Sequence, residues 1–444
     1  LYVYNQNITD QPVIDRLIAA KQRGVDVKVI MNAPRSSTDK VIQTREKLVE
    51  AGIETGFYQK YNTLHAKAMV ADDQAFIGSQ NFTSGGLYNN RELGEITNNP
   101  RVVQQLKEIF IEDLKSTGVI TGDRPQELEQ VRLLRMPESG SYSIVSAINS
   151  ATKSVDLEVY LLTDPTVTDA LKLAAKRGVQ VRVMLEPKPV GEFNNYEEKA
   201  TELRAAGVEV KETPPEFNSN SNVDHAKFMV IDGRDLLFGT GNLVKSGLGE
   251  SAKPEWNNRD FWVYDTRQAA VREAAQLFDR DWRRESTQNI EFQHLVVTPD
   301  NANTQILNLI DSAQERLYVY NQSLSDQNVI DRIIAAKQRG VDVRVLVSKQ
   351  ESTDGQPDRN QIALKQLQEM GIAAQYFTRQ YLHAKAILAD NKTFIGSQNF
   401  TSGGLIKNRE LGEIFDDQEI AKRLAESFLA DEASPTPPMP TGGA

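Results

Sequence analysis

The chain has 444 residues, and 51 Lys and Arg against 61 Asp and Glu give it a formal net charge of −10. It contains no cysteine, which excludes disulfides, thiol catalysis and cysteine-bound metals. No apolar run reaches the roughly eighteen residues of a membrane-spanning helix, and the acidic total is not typical of a dedicated nucleic-acid binder.

The first predicted elements belong to a repeat that recurs at the end of the chain. Residues 1–6 match residues 317–322, and segments 76–86 and 90–95 recur in the same order near the C-terminus. Repeats one and three are therefore close duplicates. A helix precedes the first strand of the later repeats but not of repeat one, so we interpret the chain as an N-terminally truncated piece.

The middle repeat is a more distant relative of the other two. Its segments Leu157–Tyr160, Arg177–Arg182 and Asn258–Asp260 stand at the positions of related segments in repeats one and three. Length alone favours about two to four domains. We predict three repeats at 1–125, 126–290 and 291–432, followed by a Pro-rich disordered tail at 433–444.

Repeat three shows the helix and strand periodicities most clearly. Its predicted elements are a helix around Ile306–Ile310, a strand at Arg316–Tyr320, a helix over Val329–Ile334, a strand at Val341–Val347, a helix at Arg359–Met370, and then a strand carrying His383. Glycine follows both of the later helices. This alternation predicts an α/β fold in which each repeat is a mixed β-sheet flanked by helices.

One motif occurs once in each repeat and contains three of the four histidines of the chain. It consists of a histidine, a lysine two residues later, an aspartate five residues after that, and a following Gly-Ser/Thr-x-Asn. The three sets are His65, Lys67, Asp72, Ser79 and Asn81; His225, Lys227, Asp232, Thr240 and Asn242; and His383, Lys385, Asp390, Ser397 and Asn399.

These residue types suit chemistry on a phosphodiester. A neutral histidine can attack phosphorus, and a protonated one can protonate a leaving oxygen. Strand alternation is expected to place each histidine and its lysine on one face. The lysine would supply positive charge to the non-bridging oxygens, and the hydroxyl and amide would donate hydrogen bonds to them.

Carboxylates in the same repeats are expected to have two different roles. An imidazole needs a carboxylate to fix its tautomer and orientation. The candidates are Glu92, Asp260 and Glu410, in a recurring Asn-Arg-Glu/Asp element. The motif aspartates are expected in turns at the far ends of their strands, so we predict a structural role for Asp72, Asp232 and Asp390.

These motifs resemble the signature of the phospholipase D superfamily, His-x-Lys-x4-Asp followed by Gly-Ser-x-Asn, over nearly the whole chain. The resemblance implies that two repeats related by pseudo-two-fold symmetry build one active site. It also implies that one histidine forms a phosphohistidine, that the other protonates the leaving group, and that neither metal nor cofactor is required. The departures from the signature are Thr240, Asp260 and the odd number of motifs.

Three motifs leave the pairing open. We favour repeat two with repeat three, because residues 278–303 read as the usual internal linker between halves. The alternative pairs repeat one with repeat two. In the favoured arrangement, residues 1–125 lack a partner, which would be a missing N-terminal repeat or a second copy of the chain.

The preferred functional hypothesis is a metal-independent phosphodiesterase or phosphatidyltransferase acting on a phospholipid head-group ester, at a membrane surface. A nuclease of the same fold and a catalytically reduced binding scaffold are the alternatives. The acidic charge disfavours nucleic acid, and the complete motif sets disfavour the scaffold. The compartment is not specified by the sequence, although the absence of cysteine suits a secreted or cell-envelope protein.

Overall fold

A computed structural model describes residues 1–32, 40–58, 63–116, 131–189, 196–219, 222–251, 253–349 and 358–433. The chain divides into two compact units, Leu1–Leu128 and Glu129–Ala444, here called unit 1 and unit 2. Unit 1 contains repeat one, and unit 2 contains repeats two and three. The predicted tail lies outside the described residues apart from Ala433. Among the helices that are described, none combines the length and apolar character needed to cross a membrane.

Unit 1 is built on one six-stranded mixed sheet. Its elements are β1 (Tyr2–Asn5), α1 (Gln11–Gln22), β2 (Lys28–Asn32), α2 (Lys40–Glu50), β3 (Glu54–Tyr58), β4 (Lys67–Ala71), β5 (Gln74–Gly78), β6 (Gly94–Thr97) and α3 (Pro100–Ser116). The strand order is β3-β2-β1-β4-β5-β6, with the first three strands parallel and the others antiparallel. α1 begins where the Asp10 side chain accepts the N–H of Val13, which satisfies a free donor of the first turn.

Repeat two begins unit 2 and follows the same plan. Its elements are β7 (Val131–Met136), α4 (Tyr142–Asn149), β8 (Ser154–Val159), α5 (Pro165–Lys176), β9 (Gln180–Leu185), α6 (Tyr196–Ala205), β10 (Glu209–Glu212), β11 (Lys227–Ile231), β12 (Asp235–Gly239), β13 (Asn258–Asp265) and α7 (Gln268–Arg283). The sheet order is β10-β9-β8-β11-β12-β13, and β7 also pairs with β13.

Repeat three completes unit 2 with a second mixed sheet. Its elements are β14 (Leu295–Thr298), α8 (Ala302–Ser312), β15 (Arg316–Asn321), α9 (Gln327–Gln338), β16 (Asp342–Ser348), α10 (Arg359–Glu369), β17 (Ala373–Phe377), β18 (Tyr381–Leu382), β19 (Lys385–Ala389), β20 (Lys392–Gly396), α11 (Ser402–Ile406), β21 (Glu410–Asp416) and α12 (Gln418–Glu432). The strand order is β14-β21-β20-β19-β15-β16-β17.

The predicted fold class is confirmed, since each repeat is a mixed sheet flanked by helices. In repeat three the alternating valines form β16, and the predicted helices appear as α8, α9 and α10 with bounds within a few residues. α9 ends just before Gly340, whose φ of 92° is readily adopted only by glycine.

The two repeats of unit 2 share one core. Residues of α7 and α12 pack together with apolar residues from both sheets in a single buried cluster. Aromatic rings meet across the junction, where Phe238 stacks on Phe415 at 6.2 Å and Phe261 contacts Tyr320 at 5.4 Å between ring centroids. Because this core is common to both repeats, their relative position is fixed by close packing.

The motif aspartates lie in the turns that follow the motif strands. Asp72, Asp232 and Asp390 have φ of 53°, 55° and 55°, a backbone conformation that aspartate tolerates better than most residues. The Asp232 carboxylate accepts the backbone N–H groups of residues 152–154, at 2.7–3.1 Å. Asp390 accepts those of residues 314–316 in the same way. The carboxylate therefore holds the loop that leads into β8 in repeat two and into β15 in repeat three.

Replacing Asp232 by Asn should lower the free energy of unfolding of unit 2 by about 1–3 kcal/mol, because the charged acceptor of three backbone N–H groups and of the Thr152 hydroxyl is lost. Burial opposes ionisation of Asp232, but its backbone hydrogen bonds lower its pKa below the usual value. Its stabilisation is thus present at neutral pH and is lost as the pH falls through that lowered pKa. Denaturant midpoints at two pH values measure both effects.

The exposed Glu197 of α6 provides the control, as Glu197→Gln removes a carboxylate that holds no loop. Equal midpoints for the two variants at neutral pH would contradict the role of Asp232.

Candidate active site

Each motif histidine of unit 2 lies where the two repeats exchange backbone hydrogen bonds. The N–H of His225 donates to the carbonyl of Arg409 at 2.8 Å, and the N–H of His383 donates to the carbonyl of Arg259 at 3.1 Å. The prediction that the histidines lie within the motif strands is wrong, because β11 and β19 begin two residues later, at the lysines. The backbone at each histidine pairs with the other repeat instead of its own sheet.

Each histidine is also held by a carboxylate of the other repeat. Nδ1 of His225 lies 2.9 Å from Oε2 of Glu410, and Nδ1 of His383 lies 3.0 Å from Oδ1 of Asp260. All four side chains are largely buried. The Asn-Arg-Glu/Asp carboxylates therefore orient imidazoles across the junction of the repeats, and the site exists only when both repeats are present.

Burial and the carboxylate from the other repeat together fix the protonation state of each imidazole ring. Burial lowers the pKa of His225 to about 4 and also lowers that of His383. Burial opposes ionisation of Asp260 and Glu410, but the attraction of the bound imidazole and its hydrogen bond lower the pKa of both carboxyls. Each neutral ring thus donates its Nδ1–H to a carboxylate and leaves the Nε2 lone pair available.

The hydroxyl of the Gly-Ser/Thr-x-Asn element supports the carboxylate. Thr240 donates to Oδ1 of Asp260 at 2.6 Å and accepts the N–H of Phe261 at 3.0 Å. Ser397, at the equivalent place in repeat three, accepts the N–H of Leu411 at 3.1 Å. Both hydroxyl residues are fully buried. Thr240 therefore positions the Asp260 carboxylate, whereas the sequence had suggested that its hydroxyl donates to phosphate.

Both motif lysines of unit 2 are buried beside the histidines. Burial lowers the pKa of Lys227 to about 8 and that of Lys385 to about 7. Lys227 donates to the carbonyl of His225 and lies 5.2 Å from the centre of the Tyr160 ring. Nζ of Lys385 lies 2.5 Å from the carbonyl oxygen and 3.3 Å from Nε2 of His383. Their charges reach across the junction, since Lys385 lowers the pKa of His225 and Lys227 lowers that of His383.

The motif asparagines have unused hydrogen-bonding capacity. Oδ1 of Asn242 and Oδ1 of Asn399 are buried and meet no donor among the described residues. A buried amide without a partner is costly, so such a group is commonly satisfied by a ligand or water. Across the described ranges, three or more His, Asp and Glu side chains nowhere converge in a way that could hold a metal ion.

Two buried arginines that the sequence analysis did not assign join the repeats beside the site. Arg259 donates to Oδ1 of Asp431 in α12 at 3.0 Å, and Arg409 donates to Oδ1 of Asp281 in α7 at 3.0 Å. Each arginine precedes an imidazole-binding carboxylate and binds the last helix of the other repeat. The Asn-Arg-Glu/Asp element was the available signal, but the helix residues that bind its arginine are remote in sequence.

A buried acidic pair behind His225 was also missed. Burial and the nearby Asp281 raise the pKa of Asp224 to about 8. Burial and the charge of Asp224 raise the pKa of Glu158 well above its usual range, so the pair retains a proton at neutral pH. Oδ1 of Asp224 accepts the N–H of Ala226 at 3.0 Å, which fixes the backbone on both sides of His225.

In unit 1 the same residues form half of such a site. Nζ of Lys67 donates to the carbonyl of His65 at 2.9 Å, and the Ser79 hydroxyl donates to Glu92. Nδ2 of Asn81 lies at 3.4 Å from Oε1 of Gln6. His65 is exposed, and within the described part of unit 1 no carboxylate binds its ring. The structure thus brings His225 and His383 together and leaves His65 apart from its own Glu92.

The charge of Glu410 raises the pKa of His225 against the effect of burial. Glu410→Gln should therefore lower that pKa further below about 4. The imidazole 15N chemical shifts followed through a pH titration report this, and the four histidines of the chain keep the spectrum simple. Glu419→Gln, at an exposed site in α12, should leave His225 unchanged. A wild-type His225 that titrates near the ordinary 6.5 would contradict the buried carboxylate–imidazole pair.

Comparison with known proteins places these repeats in a family. A family described as "Cardiolipin synthase, PLD-like domain" matches residues 1–114, 144–282 and 306–431. A cardiolipin synthase of Geobacillus sp. (strain WCH70) is 26% identical over 420 residues, which are 85% of this chain and 78% of that protein. A cardiolipin synthase of Halalkalibacterium halodurans is 25% identical over 321 residues, or 65% of this chain and 63% of the relative.

Solved structures share the fold. Phosphatidylserine synthase from Haemophilus influenzae has a TM-score of 0.55 at 14% identity. The match covers 68% of this chain and 86% of the synthase chain. Polyphosphate kinase from Porphyromonas gingivalis has a TM-score of 0.52 at 18% identity. The match covers 69% of this chain and 51% of the kinase chain. With the family match extending over all three repeats, the chain belongs to the phospholipase D superfamily.

Proposed function

We propose that unit 2 transfers a phosphatidyl group from one alcohol to another through a phosphohistidine intermediate. The observation that carries this proposal is the exchange of carboxylates, which leaves two buried neutral imidazoles with their Nε2 atoms available in one site. A double displacement at phosphorus requires this pair, because one group must attack while another serves the leaving oxygen and then the acceptor.

In the first step, Nε2 of His225 attacks phosphorus and the bond from phosphorus to the head-group oxygen breaks. The ammonium group of Lys385 first passes a proton to Nε2 of His383. The leaving oxygen takes this proton and departs as an alcohol. Lys227 and Lys385 both supply positive charge to the non-bridging oxygens when the phosphate binds, and Lys227 keeps its charge as the leaving oxygen departs. The Nδ2 groups of Asn242 and Asn399 can donate to the same phosphate, whereas their buried Oδ1 atoms only accept hydrogen bonds.

The assignment of His383 as the acid is supported by its lysine. Nζ of Lys385 lies 3.3 Å from Nε2 of His383, and with a pKa of about 7 its ammonium group is a proton source near neutral pH. The resulting imidazolium would be stabilised by Asp260 at Nδ1, as in other carboxylate–histidine pairs. His225 has Glu410 at Nδ1, and among the described contacts Nζ of Lys227 meets the backbone carbonyl of His225 and not its ring, which suits the nucleophile.

In the second step, an acceptor alcohol attacks the phosphohistidine. His383, neutral again, removes the alcohol proton and returns it to Lys385, the bond between phosphorus and His225 breaks, and both imidazoles return to their neutral starting states. Water in place of the alcohol would give hydrolysis by the same steps. The site residues perform the same steps with water and with an alcohol. The choice between hydrolysis and transfer therefore depends on the part of the protein that surrounds the acceptor.

Phospholipid is the substrate class that the relatives favour. The sequence relatives named above are cardiolipin synthases, a name that denotes lipid synthesis, so of the phosphodiesterase and phosphatidyltransferase that the motif allows we infer the transferase, which makes lipid and does not degrade it. The acidic total charge also disfavours a polyanionic nucleic acid.

A substrate panel tests this function directly. Phosphatidylglycerol, phosphatidylcholine and single-stranded DNA are presented separately, in buffer with EDTA, and products are separated by mass. The proposal expects cardiolipin and glycerol from phosphatidylglycerol. Cleavage of DNA without lipid turnover would establish the nuclease, and no turnover with binding would establish the scaffold.

His225→Ala and His383→Ala should each reduce turnover by about 10³-fold or more, because both rings act in succession and neither can replace the other. The control is His294→Ala, at the fourth histidine, which is exposed and outside the motifs. It should retain wild-type turnover. A variant of either motif histidine with turnover near that of His294→Ala would contradict the mechanism.

The rate of transfer should depend on pH through two groups. His225 stays neutral down to its pKa of about 4, so the rate falls when the pH drops below that value. Lys385 loses its charge above its pKa of about 7, so the rate falls again on the alkaline side. Lys385→Arg should remove this alkaline limb and lower turnover at every pH, since arginine stays charged but does not release a proton to His383. Lys392→Arg, at an exposed site in β20, should leave the profile unchanged, and an unmoved limb in Lys385→Arg would exclude Lys385 as its origin.

A further inference from the structure

The half-site of unit 1 lies on an exposed and partly apolar face. His65 and Ala66 are exposed at the start of the motif. Three large apolar side chains are exposed as well: Ile77 by 45%, Leu93 by 78% and Ile109 by 52%. We call these five residues the unit 1 face. Clusters of exposed apolar side chains of this kind mark interaction surfaces.

The equivalent face of repeat three is buried against repeat two. Strand register gives the equivalence, since Gly78 pairs with Gly94 in unit 1 as Gly396 pairs with Gly412 in repeat three. The counterparts of Ile77, Leu93 and Ile109 are then Ile395, Leu411 and Ser427, which are exposed by 0%, 1% and 3%. Ile395 and Leu411 belong to the core that the two repeats share.

A groove of about 270 Å³ crosses the unit 1 face. Tyr4, Ile109 and Asp113 line it beside His65, and the Tyr4 hydroxyl donates to Asp113 at 2.7 Å. Repeat three has the same pair, because the Tyr320 hydroxyl donates to Asp431 at 2.7 Å.

In unit 2 that place is filled by a short segment of the other repeat. Arg259 donates to Oδ1 of Asp431 at 3.0 Å, and the Phe261 ring lies 5.4 Å from the Tyr320 ring. The occupant is thus an arginine followed two residues later by a large apolar side chain. The carboxylate between them, Asp260, binds the histidine next to the groove.

Unit 1 presents an occupant of this chemistry itself. Arg91, Glu92 and Leu93 stand at the positions of Arg259, Asp260 and Phe261, and Arg91 and Leu93 are exposed. Unit 1 therefore carries both the groove and the segment that fits it. A surface with both members is complementary to itself, which is the condition for a two-fold symmetric pair.

We propose that two copies of this chain pair through their unit 1 faces and build a second active site between them. Arg91 of each copy enters the groove of the other beside Asp113, and Leu93 packs on Tyr4. Glu92 of each copy binds Nδ1 of His65 in its partner, so the site contains two copies each of His65, Lys67 and Glu92. The contact between the two unit 1 faces is inferred from the geometry alone, whereas the reaction at this second site rests on the proposed function.

Sedimentation equilibrium of the full chain tests the surface. The expected mass is that of a dimer, twice 49.7 kDa. Arg91→Glu and Leu93→Glu should each raise the dimer dissociation constant by about 100-fold or more, because they remove a charge pair and an apolar anchor at the centre of the contact. Arg16→Glu makes the same charge change at an exposed site of α1 and should leave the dimer intact. Arg91 and Leu93 are exposed, and unchanged thermal midpoints verify folding.

The second site is tested in a His383→Ala background, where the site of unit 2 is silent. Residual phosphatidyl transfer should rise with the dimer fraction, and His65→Ala or Arg91→Glu should reduce it at least about tenfold. A monomer at all concentrations, or a dimer unaffected by Arg91→Glu and Leu93→Glu, overturns the proposal. A dimer without residual transfer, while wild-type protein turns over lipid, overturns the second site. A dimer without lipid turnover even in wild type supports the surface and rejects the proposed function.

Discussion

The proposed chemistry of this molecule depends on one arrangement, in which each motif imidazole of unit 2 is bound by a carboxylate from the other repeat. Glu410 of repeat three binds His225 of repeat two, and Asp260 of repeat two binds His383 of repeat three. A repeat alone has a histidine whose ring is not oriented and a carboxylate with no ring to bind. The tautomer of each ring is therefore determined by the assembled pair of repeats, and the proposed catalysis requires that pair.

Such a site requires strong packing, because it buries several charges that prefer water. Two lysines and two carboxylates lie within it at nearly complete burial, and isolated buried charges are costly. Two features hold the repeats together against this cost. The shared apolar core fixes the sheets on either side of α7 and α12. Arg259 and Arg409 bind Asp431 and Asp281 across the junction, and breaking one member of such a buried pair is strongly destabilising.

The sequence allowed the repeats, the α/β class, the helices of repeat three and the aspartate turns to be predicted, since each depends on local periodicity or on recurrence. It did not place the histidines outside their strands, nor show which carboxylate binds which ring. These depend on contacts between residues far apart, such as Asp260 with His383 and Glu410 with His225. In a symmetric pair, the same motif is consistent with carboxylate binding within a repeat or between repeats, and only the fold distinguishes them. The boundaries proposed between the repeats and the roles of the site residues stay predictions.

The contrast between repeats one and three shows how far the motif alone determines chemistry. Their sequences are nearly the same around the site, yet His65 is exposed while His383 is buried. Burial lowers the pKa of Lys385 to about 7, and the same burial, with its neighbouring lysine, keeps His383 neutral. Burial also lowers the pKa of Lys67. The difference is supplied by repeat two, which excludes water from one copy of the motif. Identical motif residues thus form a buried carboxylate–imidazole site only where a second repeat covers them.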